Sequence, residues 1–168
     1  ILYTGRVHPE KGVHLLIQAF VQLPPSERAG WKLEIVGPWE TALGGGGEAY
    51  LNELRAAASA ASADIDFTGR IFDEKRLIAH YENARIFAYP SLAERGETFG
   101  LAVLEAMASG CAPLVSDLAC FRDFVRSEVN GLSFDHRSPD PAGSLAAALA
   151  TLMRDQATTQ QMRESAWL

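Results

Sequence analysis

Two glutamates, Glu97 and Glu105, stand eight positions apart and bracket the segment Thr98-Phe99-Gly100-Leu101. Thr98 has the side chain of a helix N-cap. In that role it places free backbone N–H groups of Phe99, Gly100 and Leu101 at a helix N-terminus, where an anion is favoured. Gly100 leaves room for a ligand to approach the backbone closely. A helix from Thr98 to Glu105 rises roughly 10 Å, about the reach across a diphosphate. Carboxylates do not hold phosphate oxygens, since like charges repel, but they accept hydrogen bonds from hydroxyls on either side. A ribose at one glutamate and a transferred sugar at the other fit that span. The competing reading makes Glu97 a partner of the helix dipole and Glu105 a solvent-facing residue. Glu105 stands among Leu101, Leu104 and Ala108, towards the expected buried stripe, which favours the functional reading.

A second charged segment, Gly5-Arg6-Val7-His8-Pro9-Glu10-Lys11-Gly12, follows the first strand pattern. Arg6 offers a planar fork to phosphate oxygens and Lys11 a point charge, so the two could clamp a phosphate pair. A solvated loop with surface charges explains the same residues equally well. The Walker pattern, Gly-Lys followed by Ser or Thr, is absent.

These residues need a scaffold, and the apolar pattern supplies one. Strand-type runs are expected at Ile1–Thr4, Trp31–Val36, Ile65–Thr68, Ile86–Tyr89, Pro113–Ser116 and Leu132–Phe134. Helical spacing joins Val13, Leu16, Ile17, Phe20 and Leu23, and Pro24-Pro25 ends it. Further helices are expected over Glu48–Ala61, around Leu77, Ile78 and Tyr81 with Asp73 as cap, and from Leu101 to Gly110. Phe121–Val125, Ser144–Arg154 and Thr159–Trp167 complete the helical set, and Thr41–Gly47 reads as a flexible glycine loop. Strands alternating with helices predict an α/β fold, a doubly wound parallel Rossmann-like sheet with ligands at the carboxyl ends of its strands.

Composition bounds the rest. The 168 residues are 48% hydrophobic and 21% charged, enough for a core and against disorder. No apolar run approaches the ~20 residues of a membrane span. A net charge of −6 argues against nucleic acid as a partner. Cys111 and Cys120 make neither a disulfide framework nor a zinc site. A cytoplasmic location is expected. The chain opens at Ile1 inside a strand pattern and stops at Trp167-Leu168 inside a helical one, from which we expect a piece of a longer polypeptide.

The sequence resembles the retaining glycosyltransferases of family 4, whose E-x7-E signature Glu97 and Glu105 match. Tyr89-Pro90-Ser91, Phe99-Gly100-Leu101 and Glu105-Ala106-Met107-Ala108 match its flanks. Gly5-Arg6 with Lys11-Gly12 looks like the family's diphosphate clamp, Phe67-Thr68-Gly69-Arg70 is similar to the strand end beside the nucleotide base, and Asn130-Gly131 matches a late turn. The likeness spans nearly the whole chain. It implies the C-terminal, donor-binding half (residues 1–168) of a GT-B enzyme that moves a hexosyl group from a nucleotide-diphosphate sugar to an acceptor hydroxyl with retention, without a metal. UDP-, GDP- and ADP-hexoses are the implied donors, and no cofactor is implied. Arg6, Lys11 and Glu97 would be catalytic, with the two cations stabilising the leaving diphosphate and Glu97 meeting the sugar. Gly5, Gly37, Arg70, Ile71, Thr98, Phe99, Gly100, Leu101 and Glu105 would bind the donor, Glu105 through ribose hydroxyls. The N-terminal acceptor domain would be the partner within the same polypeptide and the route of any peripheral membrane contact, and the isolated chain is expected to be inactive. Two departures from the family pattern, one residue more between Gly and Pro in Ser109–Pro113 and Pro139-Asp140-Pro141 in place of a Gly-Asp turn, could each slightly move the strand carrying Val115 and Ser116.

Other features carry less. Asp64-Ile65-Asp66 spells a metal-binding D-x-D but opens a strand instead of closing one. His8 reads as a solvated loop residue, and His14, His80 and His136 lack ligand spacing. Trp31, Trp39 and Trp167 form no stacking ladder, and Gly44–Gly47 reads as a surface linker or flap. A sugar-nucleotide epimerase or phosphorylase of similar fold is the rival enzyme. A nucleotide-binding or receiver-like module without catalysis is the rival outside enzymes, and it leaves both residue pairs unexplained.

Overall fold

The protein is described by a computed structural model that covers residues 1–97 and 99–166. Its six strands are β1 (Leu2–Thr4), β2 (Leu33–Val36), β3 (Ile65–Gly69), β4 (Ile86–Tyr89), β5 (Ala112–Ser116) and β6 (Leu132–Phe134). They form one sheet in the order β3-β2-β1-β4-β5-β6, every neighbouring pair parallel. The chain builds outward from β1 to β3, then crosses back to β4 and builds the other way. The order reverses between β1 and β4, which is where such sheets open a crevice for ligands.

The helices are α1 (Val13–Gln22), α2 (Pro25–Arg28), α3 (Gly47–Ala60), α4 (Glu74–Asn83), α5 (Leu101–Ala108), α6 (Pro141–Arg154) and α7 (Gln156–Ala166). Right-handed crossovers put α1 and α3 on one face of the sheet and α4 and α5 on the other. α6 returns to pack on α1, and α7 packs on α5. Parallel strands covered on both faces read as unbroken apolar runs, and β1, β4 and β5 are buried along their whole length. Tyr3, Phe20, Phe87 and Phe121 are the largest side chains removed from solvent. Asp73 caps α4 as expected, accepting from the Arg76 amide at 3.1 Å.

Several expectations are corrected. Residues Thr41–Leu43 form a 3-10 turn, and the Gly44–Gly47 stretch is no free flap. The Gly46 amide donates to Val7 O at 2.8 Å and that of Gly47 to Trp39 O at 2.7 Å, while Gly45 lies buried against the Trp39 backbone. The glycines are there because backbone meets backbone, so the turn is stitched to the charged loop after β1. Phe121–Val125 is not a helix; a 3-10 turn at Ala119–Phe121 stands there. Pro113 pairs with Phe87 in regular register, so the extra residue in Ser109–Pro113 leaves β5 intact. Asp140 caps α6 through the Gly143 amide with Pro141 at the first helical position, a regular helix start. Trp167 lies outside the described residues.

Candidate functional site at the β1–β4 switch point

The loop after β1 is held by close backbone approach. Gly12 adopts φ 68°, and a Cβ there would collide with the Pro90 carbonyl, so only glycine lets this loop lie against the exit of β4. The Leu92 amide donates to Glu10 O at 2.8 Å and completes the seam. Lys11 thereby reaches the loop that follows β4, and its Nζ meets Glu97 Oε2 at 2.6 Å. Both side chains are nearly closed to solvent, at 10% and 9% exposure. Ser91 Oγ donates to the same carboxylate oxygen at 2.7 Å, and the Tyr89 hydroxyl faces it at 3.4 Å. Lys11 also lies 5.7 Å from the centre of the Tyr89 ring.

Glu105 sits on the second turn of α5 and faces a different set of groups. Tyr81 at the end of α4 donates its hydroxyl to Glu105 Oε2 at 3.0 Å, and the Thr4 hydroxyl lies 2.6 Å from the same phenol oxygen. With Tyr81 donating to the carboxylate, Thr4 donates to Tyr81. The chain runs from the last residue of β1 through α4 to α5 and leaves Oε1 of Glu105 for another donor. Burial pushes the Tyr81 phenol well up; the Thr4 hydrogen bond opposes this and the charge of Glu105 adds to it. The Tyr89 phenol is pushed up by burial and then by Glu97. Both tyrosines therefore stay protonated donors over the physiological range.

Arg6 is exposed and lies beside this pair. Its guanidinium donates to Gly44 O at 2.8 Å and to Glu10 Oε1 at 2.6 Å, while its carbonyl accepts from the Tyr3 hydroxyl at 2.8 Å. His8 is a part-exposed loop histidine, as expected, with a local task besides: its Nδ1 accepts from the Glu10 amide at 3.3 Å and caps the 3-10 turn Pro9–Lys11. Gly5 and Gly37, at the ends of β1 and β2, pack so closely that a Cβ on Gly37 would strike Gly5 O. Arg70 and Ile71 follow β3, two strands away along the same edge. The Arg70 guanidinium lies 4.5 Å over the ring of Phe72, which is 82% exposed.

The helix start departs from expectation. α5 begins at Leu101 with Gly100, in the left-handed region, at the N-cap position; Thr98, proposed as the cap, lies outside the described residues. Only the amides from Leu101 onward open the helix, and Glu97 comes to the site from a loop, not along the helix axis. Gly100 is required by a ring: a Cβ there would strike Phe121, so the space expected for a ligand is filled by core. Phe99 and Leu101 are exposed. Glu105 does not lie towards the buried stripe either, because the buried residues of α5 are Val103, Ala106 and Met107.

Asp64 and Asp66 stand at the opposite, amino edge of the sheet, where Asp66 accepts from Lys32 at 3.3 Å. Among the described residues, no three His, Cys, Asp or Glu side chains converge as a metal-ligand set. Sequence reading passed over Thr4, Tyr81 and Ser91 as site members. A phenol at a strand end or helix end, apolar ring in the core and polar tip outward, is the signal that could have found Tyr81 and Tyr89.

The family described as glycosyl transferases group 1 has a sequence model that matches residues 1–167. The chain belongs to this family. Among curated relatives it is 35% identical over 132 residues to the lipopolysaccharide 1,2-N-acetylglucosaminetransferase of Salmonella typhimurium, a match covering 78% of this chain and 33% of the relative. Among solved structures, Anabaena HepE in complex with UDP-glucose superposes with a TM-score of 0.80 at 26% identity, over 99% of this chain and 42% of that one. The C-terminal domain of the group 1 glycosyl transferase LpcC from Francisella tularensis shares the fold, with a TM-score of 0.82 at 22% identity over 99% of this chain and 81% of that one. This family member spans about a third of the length of the curated relatives it matches. Among its described residues no helix is long and apolar enough to cross a membrane.

Proposed function

We propose that this chain is the donor-binding, C-terminal half of a retaining GT-B glycosyltransferase, and that it takes a nucleotide-diphosphate sugar at the β1–β4 switch point without a metal ion. The observation that carries the reading is the pair of oriented carboxylates flanking the switch point, Glu97 held by Lys11 and Ser91, Glu105 held by Tyr81. Each has one oxygen, Oε2, held by groups of the protein. Among the described residues, Oε1 of Glu97 meets the Tyr89 hydroxyl alone, at 3.5 Å, and Oε1 of Glu105 has no partner, so both can accept from a ligand hydroxyl. Arg6 and Lys11 supply positive charge between them, in the role a metal would take as the glycosidic bond breaks and the diphosphate gains charge. The UDP-glucose bound by HepE, a structure of the same fold, supports a nucleotide sugar as ligand. The acceptor would come from the N-terminal domain of the same polypeptide.

The test is a thermal-shift and calorimetric titration with UDP-glucose, GDP-mannose and ADP-glucose, first in EDTA and then with magnesium or manganese. A ligand at 100 times its Kd stabilises the fold by about 2.7 kcal/mol, which is readily seen. Binding of one donor in EDTA is expected. A strict requirement for divalent metal would overturn the role given to Arg6 and Lys11.

Tyr81→Phe removes one hydroxyl and keeps the ring. It is expected to weaken nucleoside diphosphate and nucleotide sugar alike by about 3- to 10-fold, the value of one hydrogen bond at ~0.5–1.5 kcal/mol. Unchanged calorimetric affinity for both would show that Glu105 needs no support from Tyr81, or meets no ribose.

A further inference from the structure

The segment that carries Glu97 runs from the end of β4 to α5, and one of its residues reaches away from the switch point. Glu94 Oε1 accepts from His136 Nε2 at 2.9 Å and lies 2.8 Å from Arg137 Nε, while Oε2 accepts from Arg137 NH2 at 2.8 Å. Arg137 spends its remaining nitrogen on Asp117 O at 3.0 Å. One carboxylate thus ties the Glu97 loop to the exits of both β5 and β6. A planar fork on a carboxylate is the most directional ion pair a protein can make. The His136 side chain is only 3% exposed. In its Nε2–H tautomer it donates to Glu94 and leaves only an acceptor, the buried Nδ1, without a partner. The Arg137 hydrogen bond, and then that of His136, hold the Glu94 carboxyl below the usual range.

Among the described residues between Glu94 and Gly100, Glu97 alone is held by side-chain contacts, those with Lys11, Ser91 and Tyr89. Arg95 and Gly96 are exposed, and a Cβ on Gly96 would meet nothing within 4 Å. Glu97 is therefore placed by its ion pair with Lys11, by the Ser91 and Tyr89 hydroxyls, and by the fixed points on either side, Glu94 and the Gly100–Phe121 contact. When a diphosphate draws on Lys11, the first of these weakens and the fixed points carry more of the positioning.

We propose that Glu94, gripped by His136 and Arg137, is a positioning residue that keeps the Glu97 carboxylate aimed at the donor sugar once Lys11 is engaged by phosphate. This rests on the donor-binding reading above. It predicts a selective defect: the nucleotide is held by other groups, whereas the sugar depends on where Glu97 stands.

The experiment compares Glu94→Gln, Glu94→Ala and Arg137→Ala with the unaltered chain, titrated with UDP and UDP-glucose and with GDP and GDP-mannose. The expected result is a nucleoside diphosphate Kd within about 2-fold of the unaltered protein and a sugar-conjugate Kd raised about 10- to 100-fold, the scale of losing a hydrogen bond to a charged group. Glu94→Gln keeps size and one accepting oxygen but puts an NH2 donor against Arg137 or His136, so it breaks the two-oxygen grip without opening a gap and tests the point if the alanine variants do not fold; its defect is expected to be the smallest of the three. Equal loss of both ligands would mean that the grip holds the whole edge and would overturn the proposal, as would unchanged affinity for both. If the unaltered chain binds neither nucleotide nor conjugate, the donor-binding reading itself fails, and the proposal with it.

Discussion

Lys11→Met is expected to destabilise the chain by about 3–5 kcal/mol and to abolish most of its affinity for nucleoside diphosphate. The structural part follows from burial: Lys11 and Glu97 are 10% and 9% exposed, and removing the cation leaves a carboxylate out of water with, among the described residues, only Ser91 and the more distant Tyr89 as donors. Breaking one side of such a pair costs more than deleting the pair. The binding part follows from the loss of a charge-assisted contact, about 1.5–3 kcal/mol or roughly 10- to 150-fold. The double variant Lys11→Met/Glu97→Gln separates the two effects. A neutral amide at position 97 retains hydrogen-bonding partners and ends the unpaired charge, so most of the stability should return. Phosphate affinity should not. Denaturation midpoints of both variants and calorimetry with the nucleoside diphosphate decide the matter. A single variant as stable as the unaltered chain would contradict the ion pair, and a double variant that binds normally would remove Lys11 from the phosphate site.

That ion pair also marks where the sequence stopped being readable. Lys11 and Glu97 are 86 residues apart, and only the Gly12–Pro90 approach brings them together, so spacing could name each but not join them. The central strands were legible because parallel strands buried on both faces need no alternation: Ile86–Tyr89 is found where the apolar run placed it, whereas the edge strand Leu132–Phe134 was legible from alternation, with Ser133 exposed between two buried residues. α5 defeated the same reasoning. Its eight residues, LAVLEAMA, contain one polar side chain, so no periodicity tells its buried face from its exposed one, and the stripe was assigned to Leu101, Leu104 and Ala108 instead of Val103, Ala106 and Met107. Glycines misled twice, at Gly100 and at Gly44–Gly47. A glycine demanded by a neighbouring ring or backbone looks in sequence like one left open for a ligand or for motion. The resemblance names Glu97 and Glu105 as the pair to watch, but it is silent on the Tyr81 and Ser91 contacts that orient them and on the His136 and Arg137 contacts that hold Glu94.

The largest effect is expected in turnover. This chain alone should bind donor and transfer no sugar, while a polypeptide that includes the N-terminal domain should do both. On the proposed reading the donor side lies within these residues, where both carboxylates are oriented by groups of this chain and Arg6 and Lys11 stand on the loop after β1. The acceptor side would come from the N-terminal domain. Arg6 is 43% exposed at its side chain, and Phe72, Phe99 and Leu101 are exposed along the same edge, so no described element here closes over a bound sugar. Transfer needs an acceptor hydroxyl held at attack distance and water kept away from the anomeric carbon. Positioning of that kind is worth about 7–11 kcal/mol of barrier, and exclusion of water adds protection against hydrolysis of the donor. On the donor-half reading proposed above, this chain, which spans about a third of the length of the relatives it matches, would supply the first half of that task and the N-terminal domain the second. The assay follows donor consumption and product identity for this chain and for the longer polypeptide, across a set of hydroxyl acceptors. Isomerised donor without transfer would favour an epimerase. Acceptor-dependent transfer by the 168-residue chain at a rate close to that of the longer polypeptide would show that one domain is the whole catalytic unit.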